Sequence, residues 1–379
     1  MNQRKWGALL SYVNNIATII VGLAYTPIML RLLGQSEYGL YSLVGSIVGY
    51  LSVLDMGLGD TVVRYTARNR VDETKKKEAE LNGLFLFVYS IIGLVALLVG
   101  FILYANIDNL FGRTLSIGEM HRARIMMLLL IFNFALSFPL SIFSSIMNAY
   151  ERFIFLRVTN ILRVVLNPLL VLPFLFWGYG SVMMVVVSTA LNFACLLANM
   201  FYCLKFLHVH FARGHFDSWF LYEIAGYSFF IFLNAIMDKI YWASGQFVLG
   251  IVSGTLQVAI YAIAMQFMMM FMNFSTAISG VVLPKVTMLV AKHVSSAELT
   301  DMMIRIGRLQ YLVVGYIFIM FVLVGKQFIY LWAGAGYLSA YPMVVILMAA
   351  LIIPLIQNVG ISILKAMNKN LSLIHISEP

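Results

Sequence analysis

Charge is what this 379-residue sequence has least of: Asp, Glu, Lys and Arg together make up 11% of it, where a soluble domain carries about a quarter. With 62% hydrophobic residues and a mean hydropathy of +0.92, a soluble globular fold is excluded. Cysteine is nearly missing too. Cys195 and Cys203 stand about 12 Å apart along one helix axis, too far for a disulfide, so both read as packing residues. There is no GxSxG, no Walker A loop and no CxxC pair. His208, His210 and His215 fall in one loop without metal-ligand company. No enzyme chemistry is signalled. No short cleavable leader is expected, because the first apolar run is full length.

What is there is a series of long apolar runs. A bilayer core of roughly 30 Å takes about 20 residues of helix, and ten such runs occur, near 8–30, 39–59, 83–104, 125–148, 154–176, 180–204, 227–252, 257–282, 306–325 and 341–364. None alternates as a barrel strand would. The fold class is therefore all-α, a polytopic membrane protein. With a cytoplasmic N-terminus, eighteen Lys and Arg fall in inside segments and only Arg31, Arg113, Arg122, Arg124 and Lys326 outside. The net charge of +9 thus reports orientation, and a nucleic-acid partner is not implied. The inside segments 61–80 and 283–303 mix polar and apolar residues, as interfacial stretches do.

The chain also repeats itself. At an offset of 220, Tyr38-Gly-Leu-Tyr-Ser-Leu faces Val258-Ala-Ile-Tyr-Ala-Ile, Asn14 faces Asn234, and Met147-Asn148 faces Met367-Asn368. At 225, Leu98-Val-Gly100 faces Leu323-Val-Gly325. Such duplication predicts two parallel-repeat helical bundles flanking a central site. The expected division is a six-helix lobe at 1–206, a cytoplasmic linker at 207–226, an incomplete second lobe at 227–370 and a tail at 371–379.

The segment Arg31-Leu-Leu-Gly-Gln-Ser-Glu-Tyr-Gly-Leu-Tyr-Ser-Leu, followed by Leu54-Asp-Met-Gly-Leu-Gly-Asp-Thr-Val-Val-Arg-Tyr-Thr-Ala, resembles the opening of the O-antigen-type polysaccharide-biosynthesis flippases. These share a superfamily with multidrug and toxin extrusion carriers and lipid II flippases. The resemblance implies helical bundles around a cavity and transport of an undecaprenyl-diphosphate-linked oligosaccharide out of the cytoplasmic leaflet. It further implies a bacterial inner-membrane location, membrane lipids as surroundings, and glycan polymerase and chain-length proteins as partners. Against the expected twelve helices, about ten are present. The tail Leu371-Ser-Leu-Ile-His-Ile-Ser-Glu-Pro reads like translated sequencing adapter, so a C-terminally truncated gene is expected.

Candidate site residues follow from the cost of burying charge, about 2.5–3.5 kcal/mol for a basic residue at mid-bilayer. Arg163 and Lys239 are the two basic residues deep in spans, and Arg157, Asn160, Arg163 and Asn167 form a polar stripe on one helix. A guanidinium suits bidentate phosphate contact, so this stripe is a candidate diphosphate site; the competing reading is a structural seam between helices. Asn234, Asp238, Tyr241 and Trp242 share a face of the seventh span, with Lys239 about 100° away. Asp238 could take H+ or Na+ and couple transport to an ion gradient; no resident cofactor or metal is implied. Asp55, Asp60 and Arg64 read as a gate or structural ion pair, and Gly45 and Gly49 as a helix-packing pair. Pro139, Pro168, Pro173 and Pro354 offer bends. The function expected is a lipid-linked oligosaccharide flippase working by alternating access, with a cation-coupled exporter, a membrane glycan polymerase or ligase, and a passive scaffold as the other classes.

Overall fold

The computed structural model describes residues 3–55, 57–72, 75–214, 218–292 and 294–366. His215, Met367-Asn368 and the tail 371–379 lie outside these. The described chain is helical and without strands: α1 (Gln3–Leu33), α2 (Gln35–Gly49), a 3-10 turn (Tyr50–Asp55), α3 (Leu58–Asp72), α4 (Lys75–Ala105), α5 (Ile107–Phe111), α6 (Ile117–Ala149), α7 (Phe153–Phe176) and α8 (Ser181–Phe206). Then follow α9 (Ser218–Val252), α10 (Thr255–Ala291), α11 (Ser296–Trp332), a 3-10 turn (Ala335–Tyr337), α12 (Ala340–Ile356) and α13 (Asn358–Ala366). Helices are the outcome physics requires, because lipid offers no partner to an unpaired backbone N–H or C=O. Among the described residues eight helical stretches are long and apolar enough to cross a bilayer, one of them Gln35–Arg68, which runs from α2 into α3, and α9 and α12 cover the two other expected spans. The protein is a multi-pass membrane protein.

One expectation needs correction. The span at 39–59 is not one helix: α2 tightens into a 3-10 turn, and α3 restarts after Gly57, whose φ of 64° only glycine adopts freely. Residues 61–72 continue α3, which packs on α6 and buries Leu58, Val62 and Tyr65 while Asp60, Arg64 and Arg68 stay exposed.

The repeat is visible in the turns. Gly34 and Gly254, 220 residues apart, have φ of 78° and 80°, and α2 and α10 each begin on the next residue. Further along, α4 and α6 begin at Lys75 and Ile117, and α11 and α12 at Ser296 and Ala340, so the offset grows slowly.

By packing, the chain divides into two compact units, Met1–Ala259 and Ile260–Pro379. In the first, α4 lies against α6, α6 against α8, and α1 against α7. One core joins α3, α4 and α6 through Phe85, Tyr89, Ile142 and Ile146; a second joins α2, α5 and α6 through Leu40, Ile47, Phe111 and Met126. Phe247 of α9 stands edge-on to Phe111 and Tyr50, at 5.8 and 6.2 Å between ring centres, which ties α9 to this second core. The second unit is organised by Gln310, fully buried on α11. Its amide donates to Ser279 Oγ (2.8 Å) and Ser275 Oγ (3.1 Å), and Ser275 in turn donates to the Leu355 carbonyl beside Pro354.

Pro139 sits inside α6 and cannot donate to the Ala135 carbonyl one turn earlier. That carbonyl faces Gly93 of α4, where a Cβ would lie only 2.5 Å from it. The helices therefore meet backbone to backbone. Gly93→Ala should push α4 off α6 and cost about 1–3 kcal/mol, read as a lowered unfolding midpoint in detergent; an unchanged midpoint would show that the contact is not needed.

Candidate functional site

Arg163 lies on α7 and is exposed, yet it is not loose. Its Nη1 donates to Asn192 Oδ1 of α8 (3.1 Å), and Asn192 Nδ2 donates to Asn133 Oδ1 and Ser137 Oγ of α6, both at 2.9 Å. Further polar links join the same helices: Ser188 donates to Asn167 (2.9 Å), Thr159 to Asn199 (3.5 Å), and Asn199 to Ser144 (3.1 Å). Asn133, Ser137 and Ser144 recur at helical spacing on α6, as do Ser188, Asn192 and Asn199 on α8. The result is a neutral amide and hydroxyl seam that carries a cation. No carboxylate lies within ion-pair distance of Arg163 among the described residues. Arg157 and Asn160 stand half-buried on the same helix.

On α9, Lys239 is half-buried and its Nζ lies 4.0 Å from where a Cβ of Gly49 would be, so Gly49 leaves room for an ammonium. Asp238 and Tyr241 are exposed, and Tyr241 and Trp242 meet edge to face at 4.6 Å. The Asn234 side chain lies outside the described residues. Gly45 has open space beside it, whereas close helix approach occurs at Gly39, where a Cβ would lie 1.9 Å from the Thr255 carbonyl. Asp55 neighbours Asp60 and the Tyr89 hydroxyl. Arg64 holds its guanidinium over the Tyr65 ring at 5.9 Å. Cys195 and Cys203 are free thiols, and His210 Nδ1 is 2.5 Å from the His208 carbonyl. No group of metal-ligating side chains gathers among the described residues.

A second polar centre was not anticipated from the sequence. At the ends of α2, α6, α8 and α10, Glu119 accepts from Ser116 Oγ (2.7 Å) and Ser116 N–H (2.9 Å) on Oε2, and from Ser36 Oγ (2.5 Å) and Thr255 Oγ1 (2.8 Å) on Oε1. Next to it, Glu37 accepts from Ser181 N–H (3.0 Å) and Oγ (2.6 Å), with Arg122 Nε 3.0 Å from its other oxygen. Ser116-x-x-Glu119 is a capping box, and that signature is readable in sequence. Its partners are not, since Ser36 and Thr255 lie 83 and 136 residues from Glu119.

The chain matches the family described as polysaccharide biosynthesis protein over residues 5–290. No curated protein matches the sequence. Among solved structures it is similar to the lipid II flippase MurJ in an inward closed conformation, with a TM-score of 0.72 at 15% identity over 95% of this chain and 76% of that one. It is also similar to an inward-facing multidrug resistance MATE family transporter of the MOP superfamily, with a TM-score of 0.64 at 15% identity over 92% and 86%.

Hydrogen bonds to an ionised group contribute about 1.5–3 kcal/mol each. Ser36→Ala and Thr255→Val should each lower unfolding free energy by roughly that much. Because both hydroxyls share Oε1, the double variant should lose less than the sum, and strict additivity in the mutant cycle would argue that the two bonds are independent.

Proposed function

Because this chain belongs to the polysaccharide biosynthesis protein family, we propose that it moves a polyprenyl-diphosphate-linked oligosaccharide, of the kind built for O-antigen, capsule or exopolysaccharide, across the bacterial inner membrane by alternating access. The observation that carries this reading is Arg163: an exposed guanidinium deep in a span, oriented by neutral amides and without a carboxylate partner among the described residues. A cation held this way is available to a diphosphate, because its Nη1 hydrogen bond to Asn192 positions the guanidinium without neutralising it. Lys239, with its ammonium given room by Gly49, supplies a second positive charge. Tyr241 and Trp242 offer aromatic faces for sugars. In this reading Arg157, Asn160 and Asn167 extend the α7 stripe, and Asp55, Asp60 and Arg64 shape the gate. Membrane lipids surround the carrier, and a glycan polymerase and chain-length proteins take its product.

A cation-coupled multidrug exporter is the second reading, favoured by the likeness in fold to the MATE transporter and by the exposed carboxylate of Asp238, which such a carrier would use to take H+ or Na+. The two differ in the sign of charge that the site must display. Asn192→Asp separates them, since it would turn the Arg163 hydrogen bond into an ion pair and cancel the positive charge in place.

The test is restoration of surface glycan in a flippase-deficient strain. Arg163→Ala and Asn192→Asp should each lower restoration by about tenfold or more at equal membrane abundance, the loss of one charge-assisted contact, with Lys239→Ala weaker. Drug efflux that falls in Asp238→Asn and persists in Arg163→Ala would favour the exporter.

The positive-inside count favours an N-terminus in the cytoplasm. With Cys195 and Cys203 replaced by Ala, a cysteine at the exposed Ile117 should react with an impermeant maleimide added outside cells, and one at the exposed His210 only after lysis. The reverse pattern would invert the topology.

A further inference from the structure

The geometry around Glu119 points to a site that none of the above uses. We infer that Glu119 is a proton-binding group whose occupancy decides whether the junction of α2 and α6 with the first turn of α10 is closed or parted. An ionised carboxylate has about four lone-pair positions, and here four donors fill them, two on each oxygen. A proton on Glu119 must therefore displace one of these bonds or reverse a hydroxyl from donor to acceptor.

The four donors are of two kinds. Both bonds to Oε2 come from Ser116, the N-cap of the same helix, and they travel with Glu119 wherever α6 goes. Both bonds to Oε1 come from elsewhere: Ser36 in the first turn of α2 and Thr255 at the start of α10, which open the equivalent helices of the two repeats. Parting α2 and α10 from α6 therefore strips Oε1 alone and leaves it free for a proton. The closed arrangement, with both hydroxyls donating to Oε1, favours the ionised carboxylate, and each proton bound favours the parted state by linkage.

The neighbouring charges do not take over this role. On α2, Glu37 is paired with Arg122 of α6, a contact that parting α2 also breaks, and is bonded to Ser181 of α8, so the Glu119→Gln variant is what separates the two carboxylates. Between α5 and α6, Asp108 is paired with Arg124. His121 on α6 and Arg113 in the α5–α6 connection are exposed, and the facing stretch of α9 and α10 from Gly250 to Leu256 has no ionisable side chain. Glu119 is 8% exposed and all its partners are neutral. It is a buried anion held by hydrogen bonds alone, so adding a proton removes a buried charge at the moment the donors leave. Gly39 makes the closed state reachable, because any side chain there would collide with the Thr255 carbonyl.

The expected behaviour has a definite sign and slope. Closing releases one proton, so the ratio of closed to parted molecules should rise by up to roughly tenfold per pH unit through the titration of Glu119. Spin labels at two exposed positions outside the network, Ile117→Cys on α6 and Leu256→Cys on α10, report the separation in nanodiscs, with Cys195 and Cys203 replaced by Ala. The full chain should show one short distance at alkaline pH and a growing longer population as the pH falls. Glu119→Gln should abolish the slope. Should that variant fail to fold, Ser36→Ala keeps the titrating group and removes one closed-state donor. It should preserve the slope and move its midpoint to higher pH. A parent without pH dependence, a Glu119→Gln protein with the parental slope, a Ser36→Ala midpoint that stays put or falls, or a distance change driven by Na+ replacing K+ at constant pH would each overturn the proposal. The readout needs no transported substrate, so it stands or falls separately from the flippase reading.

Discussion

Apolar helices in lipid can leave no polar group unanswered, and in this chain that constraint decides where helices touch. Asn133, Ser137 and Ser144 on α6 meet Ser188, Asn192 and Asn199 on α8, with Thr159, Arg163 and Asn167 of α7 completing the junction. Dispersion alone would let three such helices rotate freely against each other, since lipid tails are as apolar as leucine. The amides set the rotation. In the second unit a single fully buried glutamine does the same, because Gln310 reaches Ser275 and Ser279 on α10 while Asn358 of α13 donates to Ser275 at 2.9 Å. Ser275 also answers the Leu355 carbonyl at the end of α12, so one hydroxyl joins three elements.

Backbone contact is the second device, and glycine supplies it. Gly93 lets α4 come up to the carbonyl that Pro139 leaves without its usual donor. Gly39 lets α2 reach the start of α10, and Gly250 accommodates Leu43 in the same region. The last two contacts place Ser36 and Thr255 on one carboxylate oxygen. Packing and polar chemistry are thus coupled at that end: the hydrogen bonds to Glu119 need the glycine approach, and the approach buries Leu40, Leu43 and Val258 in the same core.

Much of this was legible in the residues. Span positions follow from apolar length, which the bilayer dictates almost alone, and the repeat offset of 220 predicts the paired turns at Gly34 and Gly254. The break within 39–59 was also signalled, by Asp55, Gly57 and Gly59, but a hydropathy run conceals it because its flanks are apolar. The α7 stripe was readable from spacing. Its partner stripe on α8 obeys the same arithmetic and was missed because Asn192 and Ser188 are uncharged and draw no attention as costs of burial. Glu119 illustrates a harder limit. Its capping box is local and visible, whereas its link to Ser36 and Thr255 depends on helix placement over 83 and 136 residues, which no periodicity encodes. The pairing of Gly45 with Gly49 rested on spacing alone; the structure puts open space at one and the Lys239 ammonium near the other.

Charge in the first unit is sorted by how it is answered. The carboxylates Glu37 and Glu119 are saturated with donors, Glu37 with a guanidinium as well. The cations Arg163 and Lys239 meet only neutral groups or glycine space among the described residues. A carrier that must seize and release an anion needs cations whose partners are weak, because an ion pair already made would have to be broken for each substrate at a cost of several kcal/mol when buried. Neutral amides solve this: Asn192 holds Arg163 in place without neutralising it, so orientation is fixed while the charge stays available. On the flippase reading proposed above, the same logic accounts for Glu37 and Glu119 being satisfied, while Asp238 and Asp60 stay exposed. An unanswered carboxylate near the path would repel a diphosphate, whereas one saturated by hydroxyls and a backbone N–H has its charge spread and its lone pairs occupied. On that reading, such sorting would favour an anionic substrate before any sugar is recognised.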